Sequence, residues 1–229
     1  MIIADLWAEI EKDLAWRIDE LRFFKNRLHS ISLASDQDRF RRALVLLLYA
    51  HFEGFCRFAF TLYVNAINRT GIDCAQANSA VAAASLSDLF KALRNPQKKI
   101  PEFRHVLPDD TKLHRFGRER EFVERAADFS NRRVRISDNI VDTESNLNPI
   151  VLRRNLYRLG FAHDQFSAQE ASINQLLEYR NKISHGEMQL GLNSDRYDQL
   201  NTSALAIMQE VKRQVMAAIE NKSYLRVQQ

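Results

Sequence analysis

Glycine and proline are scarce in this chain, six and four in 229 residues. So few breakers exclude a turn-rich β architecture and favour long helices. Cysteine is nearly absent as well. Cys56 and Cys74 are too few for a disulfide framework or a structural zinc site, and Cys56 lies in an apolar run that suits a buried, reduced thiol. No Gly-rich phosphate loop, no His-Glu-x-x-His and no Gly-x-Ser-x-Gly elbow occurs, which removes the commonest nucleotide, zinc-protease and serine-hydrolase signatures. An uninterrupted apolar span is missing too. The greasiest run, 43–64, carries His51, Glu53 and Arg57, so it is expected to be a buried helix and no membrane partner is implied. Asp5, Glu9, Glu11 and Asp13 near the start are unlike a signal or transit peptide, and the expected location is cytoplasmic.

The charge is unevenly distributed. The net charge is +4, yet residues 91–135 hold thirteen Lys/Arg against seven Asp/Glu, an excess of six, so the remainder is slightly acidic. A basic segment suits a polyanion. The alternation Arg118-Glu119-Arg120-Glu121 equally suits a solvated helix laced with salt bridges.

Apolar periodicity organises the rest. Leu6, Ile10, Leu14, Ile18, Leu21 and Leu28 recur at three- and four-residue steps and predict a helix over 3–33. Ser35-Asp36 is expected to cap a second long helix over 37–68, with Gly71 as its left-handed terminator. Residues 71–147 change character. Ser85-Leu86-Ser87-Asp88 fits a capping box, Pro96, Pro101 and Pro108 break the chain, a charged helix is expected over 118–129, and Val134-Arg135-Ile136 fits a brief strand. The region has too few apolar residues for its own core and is expected to be an insertion, with 1–229 forming one domain. Asn148-Pro149 opens a helix closing at Leu159-Gly160, Ser167-Ala168-Gln169-Glu170 opens the next, Gly186 ends it, and Ser194 starts the last. The fold class is therefore all-α, an up-and-down bundle of four main helices with short insertion helices.

Chemistry concentrates in Arg180-Asn181-Lys182-Ile183-Ser184-His185-Gly186. Arginine can clamp a phosphate and histidine can move a proton near neutral pH. Five residues along a helix correspond to about 140° of rotation, so Arg180 and His185 do not share a face, whereas Asn181 and His185 do. Pairing them requires either a helix end that unwinds near His185 or a second copy of the chain across a two-fold axis. In the structural alternative His185 is a capping cation at a helix C-terminus, and Arg180 pairs with Glu178 or Glu187.

This run, with Leu46-Leu47-Leu48-Tyr49-Ala50-His51-Phe52-Glu53-Gly54-Phe55 and Glu144-Ser145-Asn146-Leu147, resembles the HEPN superfamily, in particular its branch from prokaryotic defence and toxin–antitoxin neighbourhoods. The resemblance implies an RNA-cleaving homodimer that uses neither metal nor cofactor. His185 would be the general acid/base, Arg180 would hold the scissile phosphate, Asn181 would orient both, Glu53 would be the polar partner from the long helix, and Lys182 would contact nucleic acid. Against that role, Arg57 lies one helical turn beyond Glu53 and could satisfy it. Tyr49 and His51 suit core or interface positions. An antitoxin or regulatory protein is a further implied partner. Gly186-Glu187-Met188 departs from toxins that carry a modifiable tyrosine just after the histidine. The alternative within the superfamily is a non-catalytic module binding a nucleotide or a protein.

Overall fold

A computed structural model describes residues 3–104 and 111–227. Among the described residues it is 72% helical with no strands. Eight α-helices follow in order: α1 Ile3–Arg27, α2 Ala34–Thr70, α3 Ser79–Ser85, α4 Ser87–Arg94, α5 Thr111–Ala126, α6 Pro149–Arg158, α7 Glu170–Ser184 and α8 Ser194–Glu220. The all-α bundle is thus as the periodicity implies.

The central element is α2, packed on α1, α7 and α8. Leu48, Phe52, Phe55, Cys56, Ala59, Phe60, Tyr63 and Ile67 are each no more than 1% exposed, so the apolar surface of this helix is spent inside the bundle. Its length and hydropathy match those of a membrane span, but 56% of its most apolar window is buried within the protein. Glu20 meets His51 and the Arg17 guanidinium lies over Gly54. Positions therefore rise along α1 as they fall along α2, and the two form an antiparallel hairpin. Trp7 donates to Glu220, and Lys25 pairs with Asp198, so α8 also runs antiparallel to α1.

Several predicted boundaries shift for physical reasons. The first helix ends at Arg27 and tightens into a 3₁₀ turn over Leu28–Ser30. Ser35 and Asp36 lie inside the first turn of α2 and do not cap it; Leu33 precedes the helix with no side-chain cap. Ser85 is not an N-cap either, because its hydroxyl accepts from the Arg135 amide, closing a tertiary contact. Ser167 opens a 3₁₀ turn before α7. Residues 134–136 are extended without forming a strand: Ile136 exchanges both backbone groups with the Asn68 side chain, and the neighbouring bridge is isolated, Asp73 to Arg133. By contrast, Gly71, Gly160 and Gly186 have left-handed φ values of 70°, 82° and 74°, and Asn148 caps α6 by accepting from the Val151 amide.

The charged helix starts at Thr111 and extends only to Ala126. It is less solvated than its sequence suggests. Arg118 is 8% exposed and donates to the Leu93 and Lys98 carbonyls, and buried His114 accepts from the Ile100 amide. Much of the local basic excess is internally paired: Arg115 with Glu119, Arg120 with Glu124, Arg125 and Lys98 with Glu121, and Arg132 with Asp88. Cys74, Val81, Val134, Ile136 and Leu147, all from 71–147, join the same apolar core as α1, α2, α7 and α8.

Candidate active site

Arg180 sits on the face of α7 turned toward α2. Its guanidinium carbon lies 4.4 Å from the centre of the Tyr49 ring, within the range of a cation–π contact. One amino group donates to Asn181 Oδ1 at 2.9 Å. The other donates to the Ser145 carbonyl at 2.7 Å and lies 3.9 Å from a Glu53 carboxylate oxygen. Glu53 thus faces Arg180; Arg57 is exposed and forms no ion pair with it. Four groups from three segments hold one cation that stays 22% exposed.

Each contributor is fixed in turn. Tyr49 and Glu53 are one helical turn apart on α2 and project together. Tyr49 is 3% exposed; its hydroxyl lies beside the Glu53 carboxylate and the Leu147 backbone without a well-aligned hydrogen bond to either. Burial first, and the Glu53 charge second, push that hydroxyl well above the usual tyrosine range, against the opposing pull of Arg180. It stays protonated. The Ser145 carbonyl is delivered by an unusual turn. Glu144 and Ser145 both adopt left-handed backbone, at φ 53° and 54°, a conformation that side chains other than Gly and Asn disfavour by about 1 kcal/mol each. Buried Asn155 braces the turn by accepting from the Asp142 amide and donating to the Asp142 carbonyl. Asp142 accepts from the Glu144 amide, and Glu144 pairs with Arg154. Such strain persists only where the surroundings over-determine it.

His185 is placed differently. The α7 helix ends at Ser184, but the His185 amide still donates to the Asn181 carbonyl at 2.9 Å, so the helix does not unwind before it. His185 is exposed and its imidazole makes no hydrogen bond or ion pair with the other described residues. It therefore stays on the opposite side of α7 from Arg180. Lys182 is exposed and pairs with Glu178. The structure brings Arg180, Asn181 and Glu53 together within one chain and leaves His185 apart.

Two contributors escaped the sequence. Both lie in stretches that carry the resemblance, but Tyr49 was expected only at a core or interface position, and nothing marks the Ser145 carbonyl, since any residue supplies a carbonyl. Among the described residues, no group of three or more His, Cys, Asp or Glu is arranged to hold a metal ion. His51, on α2, is 4% exposed and lies 2.8 Å from Glu20, edge-on to Trp16. Burial holds its pKa below the usual value, against the pull of Glu20.

A comparison with family models matches residues 6–224 to the family described as MAE_28990-like HEPN. No curated protein and no solved structure gives a significant match.

Proposed function

The chain belongs to the HEPN family, and from that premise we propose that it is a metal-independent endoribonuclease, a toxin or defence effector, working at a composite site of a homodimer. The observation that carries this reading is the Arg180 clamp: a guanidinium held over Tyr49 by the Ser145 carbonyl, Asn181 and Glu53, yet still open to solvent. A preorganised, partly exposed cation is suited to the oxygens of a scissile phosphate, whose charge grows during displacement. The 140° offset of His185 supports the dimer, because a two-fold axis can set the histidine of one copy beside the arginine of the other.

In this mechanism the ribose 2′-oxygen attacks the adjacent phosphorus. Its proton passes to the neutral imidazole of one His185. The bond from phosphorus to the 5′-oxygen breaks, and the leaving oxygen takes a proton from the imidazolium of the partner's His185. The products are a 2′,3′-cyclic phosphate and a 5′-hydroxyl, with no net change in protons. Arg180 stabilises the phosphorane-like charge, Asn181 and Glu53 fix the arginine, and Lys182 contributes to RNA binding by trading its Glu178 partner for a phosphate. Removing Arg180 is expected to cost about 10²–10³ in rate.

The test is incubation of total RNA with the protein in excess EDTA. Cleavage leaving cyclic-phosphate ends is expected, lost in His185→Ala and Arg180→Ala. Mixing His185→Ala chains with wild type and letting the dimers exchange should lower activity more than in proportion to dilution. An active monomer, or unchanged cleavage by His185→Ala, refutes the composite site. One observation favours a second reading, a non-catalytic module for a nucleotide or protein partner: both amino groups of Arg180 already have internal acceptors. That reading predicts no cleavage at any enzyme concentration.

A further inference from the structure

Beside the end of α7 lies a groove of about 530 Å³ that the Arg180 clamp does not use, a volume in the range of small-ligand sites. Tyr179 and Lys182 form one wall, Glu187, Met188 and Leu190 the other, and Arg196 from α8 closes it. The second wall is built by the chain reversal at Gly186, after which the Glu187 and Met188 amides both donate to the Lys182 carbonyl, at 2.8 and 3.1 Å.

This wall is fastened. The Arg42 guanidinium donates to the Met188 and Gln189 carbonyls at 2.9 and 2.6 Å. The Leu192 amide donates to the Asp38 carbonyl at 2.9 Å. Gly191 packs so closely on α2 that a Cβ there would lie 2.3 Å from Asp38 Cβ. The Arg196 floor is fixed too, 5.2 Å over the Tyr179 ring with Nε donating to the Tyr179 hydroxyl at 3.0 Å. Yet this fixed wall holds Leu190 82% exposed. It also presents the Glu187 carboxylate, which forms no hydrogen bond or salt bridge with the other described residues, while Lys182 turns to Glu178. An apolar surface and an unused bidentate acceptor on an anchored loop are the parts of a site for a flat ring with hydrogen-bond donors on its edge.

We propose that this groove is a guanine subsite, with Glu187 accepting from the base. The pairing edge of guanine carries two adjacent N–H donors, at N1 and the exocyclic amine, which match the two oxygens of a carboxylate. Adenine and cytosine each offer a single exocyclic amine beside a ring-nitrogen acceptor. Uracil presents one N–H between two carbonyl oxygens that repel a carboxylate. Met188 and Leu190 supply the apolar cover for the ring. His185 lies three residues beyond Lys182 on the same side of α7, so a base held here has its ribose-phosphate near the proposed proton-transfer group. The assignment rests on the ribonuclease reading for its substrate class, and its test does not need cleavage.

The measurement is the equilibrium binding of guanosine 5′-monophosphate and uridine 5′-monophosphate to the full-length protein, by calorimetry. A bidentate base contact discriminates by roughly 10- to 100-fold. The expected result is a preference of that size for the guanosine nucleotide, abolished in Glu187→Ala, with an unchanged melting curve showing that the variant is folded. Equal affinities in wild type, or a preference that survives Glu187→Ala, overturn the assignment. Should the preference be present while RNA stays intact in EDTA, the cleavage mechanism fails and the subsite stands. If RNA is cleaved without any nucleotide preference, only the subsite fails.

Discussion

The contact between Tyr49 and Arg180 allows a ring to be separated from a hydroxyl. Tyr49→Phe keeps the ring 4.4 Å from the guanidinium and removes a buried hydroxyl that has no aligned partner. Leaving such a group unsatisfied costs about 1–3 kcal/mol, so its removal is expected to leave stability unchanged or raise it by ~1 kcal/mol. Tyr49→Leu removes the ring. Cation–π contacts range from ~0.5 kcal/mol exposed to ~2 kcal/mol desolvated, and a guanidinium that is 22% exposed falls between those limits. The loss of packing in Tyr49→Leu adds to this, so a double-mutant cycle with Arg180→Met is needed to isolate the pair. Equilibrium unfolding in guanidinium chloride, extrapolated linearly to water, provides the four stabilities. The expected coupling is about 1 kcal/mol for Tyr49→Leu with Arg180→Met, and below ~0.5 kcal/mol for Tyr49→Phe with Arg180→Met. A coupling with Phe as large as that with Leu would show that the hydroxyl, through Glu53, holds the arginine. Zero coupling in both would reduce ring and guanidinium to neighbours.

Gly191→Ala forces a Cβ to within 2.6 Å of the Asp38 carbonyl carbon and 2.9 Å of the Arg39 amide nitrogen. These are backbone atoms that cannot rotate away, and overpacking of this kind costs about 1–3 kcal/mol, seen by calorimetry as a melting temperature lower by roughly 2–12 °C. His51 makes stability depend on pH. Its folded pKa lies below the usual 6.5, so the fold favours the neutral ring; that stabilisation is complete above about pH 6.5 and is lost as pH falls toward the folded value. The groups facing it are Glu20, Arg17, Asp13 and Trp16 of α1. His51→Gln should therefore flatten the stability profile between pH 7 and 5 in denaturant titrations, and an identical slope in the variant would rule His51 out as its source.

Helix starts and stops were legible wherever a residue type and a backbone need coincide. Gly71 and Gly186 supply left-handed backbone, and Asn148-Pro149 supplies an acceptor and a pre-set φ. The serine-led boxes at Ser85 and Ser167 were misleading because a hydroxyl serves a tertiary amide as readily as a local one, as Ser85 does for Arg135. Glu53 could be proposed as the partner of Arg180 from the family resemblance, and the geometry faces them across α2 and α7. The Ser145 carbonyl lay beyond reach: its placement depends on two left-handed residues braced by Asn155, a tertiary outcome with no local pattern. The charged helix misled in the same way, since alternating sign does not reveal that Arg118 turns inward to two carbonyls.

Because α2 is one unbroken helix of 37 residues, about 55 Å long, it acts as a ruler for the features mounted on it. Arg42 fixes the 188–189 wall, Tyr49 and Glu53 hold the arginine, and Asn68 grips residue 136. A single residue inserted between 42 and 49 would turn one set of fittings by about 100° and slide it about 1.5 Å relative to the other. The groove and the clamp therefore keep a fixed offset along α2, and only the loops that α2 carries can shift one against the other without turning it.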